Sequence, residues 1–159
     1  MKEFSIKSSA VLTNFLKPLA LLLLVLFLQI RTYASDGDAI LGTWMHEDKQ
    51  SKMLIYKVGK QYFGKVVWLR NPFQNGKPAL DSQNENSSLR SKTIMGLVLM
   101  ANLVFEEKGN NWINGTVYDP NSGKNYACKL TLKDKNTLAM RGYIGKPMFG
   151  KTILFVSCD

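Results

Sequence analysis

Histidine is almost absent from this chain: His46 is the only one in 159 residues. A metal site built on paired histidines is thereby excluded, and one cysteine or carboxylate beside a lone imidazole makes a poor zinc site. A serine–histidine–acid triad would have to use His46, yet no Gly-x-Ser-x-Gly elbow presents a serine. His46 is therefore expected at a strand end, facing solvent. Cysteine is nearly as scarce, with only Cys128 and Cys158; no Cys-x-x-Cys motif exists, so thiol–disulfide catalysis has no support. Acidic residues number 12 against 21 basic ones, a thin supply for chemistry that needs two carboxylates across a cleft. Glu106 and Glu107 are adjacent and would point to opposite faces of a strand. No glycine-rich phosphate loop of recognised spacing is present, nor any nucleic-acid recognition motif. The sequence leans away from an enzyme and calls for no cofactor and no metal.

The one long apolar run lies near the start. Leu19-Ala20-Leu21-Leu22-Leu23-Leu24-Val25-Leu26-Phe27-Leu28 follows a positive stretch with Lys2, Lys7 and Lys17. A more polar exit ends in Thr32-Tyr33-Ala34, with small residues where a signal peptidase reads. Residues 1–34 are read as a secretory signal cut between Ala34 and Ser35, which sends the protein to the periplasm or outside the cell. The rival reading is an uncleaved anchor; against it, the block is ten residues where a spanning helix needs about 20. No cysteine lies near the cut, so a lipoprotein anchor is excluded. The mature chain, 35–159, is expected to be a single domain that does not span the membrane. Loss of the signal lowers the formal net charge from +9 to +6. The remaining lysines, Lys52, Lys57, Lys65, Lys129 and Lys151 among them, read as a solvated outer face or as an attraction for anionic envelope polymers or lipid head groups. In an oxidising compartment Cys128 and Cys158 allow one bridge, which would pin the chain end to a strand. Equally, Cys128 can be a small buried hydrophobe.

From Gly42-Thr43-Trp44 onward, short runs rich in β-branched and aromatic residues alternate with turn signals. Strands are expected over 40–46, 52–58, 61–69, 97–107, 112–118, 125–133, 137–144 and 151–156. Gly59-Lys60 suits a two-residue hairpin turn, and Asp119-Pro120-Asn121-Ser122-Gly123 carries turn chemistry of its own. In 125–133 the alternation puts Tyr126, Cys128, Leu130 and Leu132 on one face. The same parity turns Tyr62, Gly64, Val66 and Trp68 inward. Eight short strands joined mostly by tight turns argue for an all-β, antiparallel up-and-down barrel, and glycines within strands supply the bends that closure needs. Such a barrel either fills its interior or holds one small ligand. The exception to short connections is 70–92, long and polar, which is read as a lid across a barrel mouth or a loose crossover.

The candidate ligand contacts follow from this layout. Trp68, Tyr118, Tyr126 and Tyr143 supply aromatic wall. Arg90, at the end of the long loop, and Arg141, within a strand, are candidates for an anionic head group; the competing role for Arg141 is bonding strand carbonyls. Asp119 is held in its turn by Pro120 and Gly123, where it either caps backbone amides or partners Lys124 or Arg141.

Gly42-Thr43-Trp44, Gly64-Lys65-Val66-Val67-Trp68-Leu69, Leu89-Arg90-Ser91, Tyr118-Asp119-Pro120, Gly123-Lys124-x-Tyr126 and Leu138-x-Met140-Arg141-Gly142-Tyr143-x-Gly145 occur in one order. In that order they resemble the exported bacterial family of unknown function DUF2147, across nearly the whole mature chain. The resemblance implies a lipocalin-like (calycin-like) eight-stranded barrel, and in such barrels the opening tryptophan plugs one end, a role that would fall to Trp44. Many members carry a cysteine on each side of the first hairpin turn; Val58 and Phe63 stand there instead. The reading reached from sequence is an exported barrel that binds a small, partly apolar or anionic ligand or an envelope component. The alternative is a protein-interaction module, such as an inhibitor or envelope-assembly accessory, with a filled barrel. Neither involves nucleic acid.

Overall fold

The computed structural model describes residues 37–158. The expected signal and its cleavage site lie outside the described residues. Ten strands occur in chain order: β1 (Gly42–His46), β2 (Ser51–Val58), β3 (Gln61–Leu69), β4 (Phe73–Gln74), β5 (Lys77–Pro78), β6 (Val98–Glu106), β7 (Asn111–Asp119), β8 (Lys124–Asp134), β9 (Thr137–Tyr143) and β10 (Lys151–Ser157). Eight of them close into a barrel in the order β1-β10-β9-β8-β7-β6-β3-β2. Its pairings are antiparallel, including the closing one between β1 and β10. The remaining two, β4 and β5, form a small ribbon inside the long connection. The only helical turns among the described residues are short 3₁₀ turns at Gly37–Ile40, Ser87–Leu89 and Pro147–Phe149. Ile40 belongs to the first of these and not, as expected, to the first strand.

The inward residues follow period-2 alternation, interrupted where the chain inserts an extra residue. Asn102 and Asn114 adopt left-handed backbone conformations, φ 61° and 60°, which asparagine tolerates better than most residues. The shift beside Asn114 between β7 and β8 lets Trp112 and Gly115 both face the core. A Cβ on Gly115 would lie 2.5 Å from the Leu103 side chain, so packing there requires glycine.

A second interruption overturns one expectation. Lys52 pairs with Trp68 but Met53 pairs with Val66, leaving Val67 as an extra residue in β3. The bulge reverses parity. Val66 points inward, whereas Trp68 turns outward, is 38% exposed, and lies 5.7 Å from the Lys52 ammonium, measured to the centroid of its ring.

One end of the barrel is sealed by the turn Gly37–Ile40. The Trp44 indole N–H donates to Ile40 O at 2.8 Å and the Trp112 indole N–H donates to Gly37 O at 2.9 Å. Both rings are buried with Ile40, Leu103, Leu130 and Leu138. Trp112 also meets Tyr62 edge-on and Phe105 at a tilt. A buried indole N–H without an acceptor is costly, so the two tryptophans fix the turn while the turn satisfies them.

Cys128 and Cys158 are both free thiols. Register explains why they do not bridge. Cys128 pairs across β8–β9 with Gly142, which pairs with Lys151 on β10. Cys158 lies seven residues further along, roughly 23 Å at a strand's rise, whereas bridged Cα atoms lie within about 7 Å. Burial pushes the Cys128 thiol up to about 12, so it stays protonated and unreactive.

Outside the seal, Asp38 accepts hydrogen bonds from the Lys57 ammonium and the Tyr62 hydroxyl. The Lys57 hydrogen bond, with that of Tyr62, holds the Asp38 carboxyl below the usual carboxylate range. A depressed folded-state value contributes stability above the unfolded value of about 3.9 and loses it as pH falls through the folded value. Asp38→Ala is therefore expected to melt below wild type at pH 7, with the gap narrowing as pH falls below the ordinary carboxylate range; thermal melts across that range measure it.

Candidate functional site

Packing differs between the two halves of the barrel. Toward the seal, indole rings and leucines fill the interior. Toward the other end, the inward positions carry Met53, Val66, Met100, Val117 and Met140, with Gly142 beside them; these form the floor of a half-open cavity of about 1130 Å³ that extends out to the rim and the long connection. Ligand pockets commonly run to about 300–1,000 Å³, so this one has room for a sizeable small molecule. Three methionines from β2, β6 and β9 give a wall that adapts its shape, since an unbranched thioether side chain fills irregular space. Tyr126 on β8 and Ile153 and Phe155 on β10 complete the apolar lining.

The rim is polar. His46 lines the mouth, and is not simply at a strand end in solvent as expected. It packs edge-on against Phe155 at 5.2 Å, with Nδ1 2.8 Å from Asp48 Oδ1.

The long connection between β3 and β6 lies over this mouth. Asn71, Gln74, Ala79, Leu80, Gln83 and Ile94 line the cavity. The segment is an ordered structure with its own ladder. Leu80 bridges Thr93, Asp81 N donates to Lys92 O, and Ile94 N donates to Ala79 O.

Two contacts fasten it to the β7–β8 hairpin. Asp81 is only 1% exposed; its Oδ1 accepts from the Tyr118 hydroxyl at 2.6 Å and its Oδ2 from the Asn84 amide at 2.7 Å. Burial and the adjoining Asp81 carboxylate push the Tyr118 hydroxyl up to about 12. Gly123, at φ +72°, lies so close beneath Gln83 that an added Cβ would stand 1.9 Å from its carbonyl oxygen.

The residues expected to meet a ligand divide evenly. Tyr118, Asp119, Tyr126 and Tyr143 line the cavity. Asp119 is engaged in its turn, accepting from Asn121 N and the Ser122 hydroxyl. Trp68, Arg90, Lys124 and Arg141 lie elsewhere. Trp68 is outside because of the β3 bulge, and Lys124 is an exposed pair-mate of Asp119 at the start of β8. Arg90 Nε donates to Asn84 O at 2.8 Å, bracing the long loop. Arg141 points out of the barrel and donates to Pro147 O, Met148 O and the Thr152 hydroxyl, the carbonyl-bonding role and not the head-group role.

Sequence reasoning missed Asp81 as a latch, because its partner Tyr118 is 37 residues away and no local spacing marks the pair. The methionine wall could have been read from the inward parity of β2 and β9. Among the described residues, no group of three or more His, Cys, Asp and Glu side chains could hold a metal ion.

The latch gives two expected outcomes. In alkaline absorbance titration one tyrosine should resist ionisation to about 12, and Asp81→Asn should bring it part of the way back toward the ordinary value of about 10. Because the folded value is raised, this contribution to stability is complete below about pH 10 and lost as pH rises through the folded value. Gly123→Ala should cost roughly 1–3 kcal/mol for its backbone conformation alone, seen in denaturant unfolding, and should increase proteolytic cutting of the 82–92 segment.

The barrel has a known counterpart. The solved structure of protein HP1028 from the human pathogen Helicobacter pylori, described as belonging to the lipocalin family, is similar with a TM-score of 0.66 and 18% identity, over 76% of this chain and 83% of that one. At that identity the likeness bears on the fold alone. No curated protein matches the chain. The sequence match is to the model of the DUF2147 family, "Uncharacterized protein conserved in bacteria"; it runs over residues 42–156, from the first barrel strand into the last, and the chain belongs to that family.

Proposed function

We propose that this protein is an exported barrel that binds a small, partly apolar ligand in the cavity above the tryptophan seal. The observation that carries the reading is the cavity itself, about 1130 Å³ with a methionine-rich wall and a polar rim. A barrel working only through its outer surface gains nothing from a cavity at its mouth, because unfilled apolar volume is destabilising. The lipocalin-like fold supports the reading, and the positive start, apolar block and small residues at Thr32 and Ala34 support export. The ligand's polar end is not expected to meet an arginine, since Arg90 and Arg141 are engaged with backbone carbonyls. Tyr126 and Tyr143 are the lining groups placed to receive it.

The test is titration with a series of single-chain amphiphiles of increasing length, following tryptophan emission and melting temperature together. Each buried CH₂ contributes about 0.8 kcal/mol, so affinity should rise roughly fourfold per methylene until the cavity is full. Met140→Trp, which places an indole in the cavity, should lower the chain length at which affinity stops rising while the protein stays folded. No shift in melting temperature across the series would overturn the proposal.

A further inference from the structure

The β9–β10 connection carries Ile144, Met148 and Phe149 at 72%, 71% and 77% exposure. Three large apolar side chains on one turn is an arrangement that soluble surfaces avoid unless something covers them. Their exposure is built in. The Arg141 guanidinium donates to Pro147 O and Met148 O and to the Thr152 hydroxyl, holding the turn Pro147–Phe149 by its backbone and leaving its side chains outward. Gly150 seats the turn on β9, where an added Cβ would stand 2.4 Å from Gly142 O.

Beside β1, the β9–β10 hairpin runs on past its last pairing with that strand. The β1–β2 turn departs at the level of Leu154, whose carbonyl accepts from Glu47 N. β10 begins at Lys151 and stays paired with β9 there, so the hairpin overshoots its neighbour by three residues, roughly 10 Å. Exposed Lys146 and Lys151 flank the apolar tip.

We propose that this tip docks on a lipid bilayer bearing anionic head groups, with Ile144, Met148 and Phe149 entering the interface and Lys146 and Lys151 meeting the head groups. A convex, three-residue tip falls well short of the ~800 Å² per partner that a stable protein interface buries, whereas apolar side chains beside lysines suit a membrane surface. Ile144 and Phe149 also line the cavity, so docking would bring its mouth to the bilayer. The inference rests on the turn and its flanks and holds whatever the cavity contains.

The experiment uses full-length Phe149→Trp with vesicles of brominated phosphatidylglycerol or brominated phosphatidylcholine. Val58→Trp, at an exposed position beside the sealed end, serves as the control. A reading local to the tip keeps the result independent of the apolar segment 19–28. Brominated anionic vesicles should quench and blue-shift the indole introduced at the tip but not the one at the sealed end. Adding Lys146→Ala and Lys151→Ala should raise the vesicle concentration needed for half-quenching, by roughly fivefold per lysine. Met148→Trp repeats the reading should the first variant fold poorly. Equal quenching at both ends, equal quenching by both lipids, or no quenching at the tip would overturn the proposal. So would a blue shift without lipid that grows with protein concentration, since the tip would then be meeting a second copy.

Discussion

Two indole N–H groups decide which half of this barrel is solid. An eight-stranded barrel has an interior just wide enough for side chains to fill or for one ligand to enter, and the strands alone do not select between these. Trp44 and Trp112 donate to the carbonyls of Ile40 and Gly37, drawing the Gly37–Ile40 turn across one end. With two large rings committed there, the leucines pack around them. The other end is left with methionines, valines and glycine. The cavity, the lid and the polar rim all lie at the end the tryptophans do not reach.

Closing the barrel depends on where alternation fails. Strict period 2 in β3 would carry Trp68 inward into the space bounded by Val66 and Met53. The extra residue at Val67 sends it out, and the room stays open. In β7 the left-handed Asn114 works the other way, restoring Gly115 to the interior beside Leu103. A bulge thus excludes one bulky ring from the cavity, and another admits a residue with no side chain to the packed half.

This explains what could be read in the sequence. The number, order and turn positions of the barrel strands follow from composition and spacing, which are local, and β3 matches its expected bounds, whereas the β4–β5 ribbon in the long connection was not expected. The inward face of β8 was legible because Tyr126, Cys128 and Leu130 alternate without interruption before the wall closes. Trp68 was misplaced because a bulge is set by the partner strand, and nothing around Val67 announces it. The site was legible in proportion to locality as well. Asp119 could be assigned to its turn from Pro120 and Gly123, five residues in all. The latch between Asp81 and Tyr118 spans 37 positions, and the distant acid has no signature in a loop rich in asparagine and serine. Both readings of Arg141 stayed open for a general reason: a guanidinium between apolar neighbours signals that something is bonded, not whether it is ligand or backbone.

The two rim elements solve opposite problems. The long loop brings a carboxylate into a buried position, which is tolerable because the Tyr118 hydroxyl and the Asn84 amide satisfy both its oxygens. It brings a carbonyl against a position where only glycine fits. Those contacts make the loop an ordered cover and explain how so long and polar a segment holds one path. The β9–β10 hairpin spends its polar contacts on its own backbone through Arg141, and keeps its apolar side chains in the open. A cover that satisfies its polar groups internally can shield a hydrophobic cavity from water. A tip that leaves its apolar groups unsatisfied gains free energy wherever it meets an apolar surface. Set on one mouth, they make the opening asymmetric, closed by fixed polar geometry on one side and edged on the other by the groups that an apolar molecule would touch first.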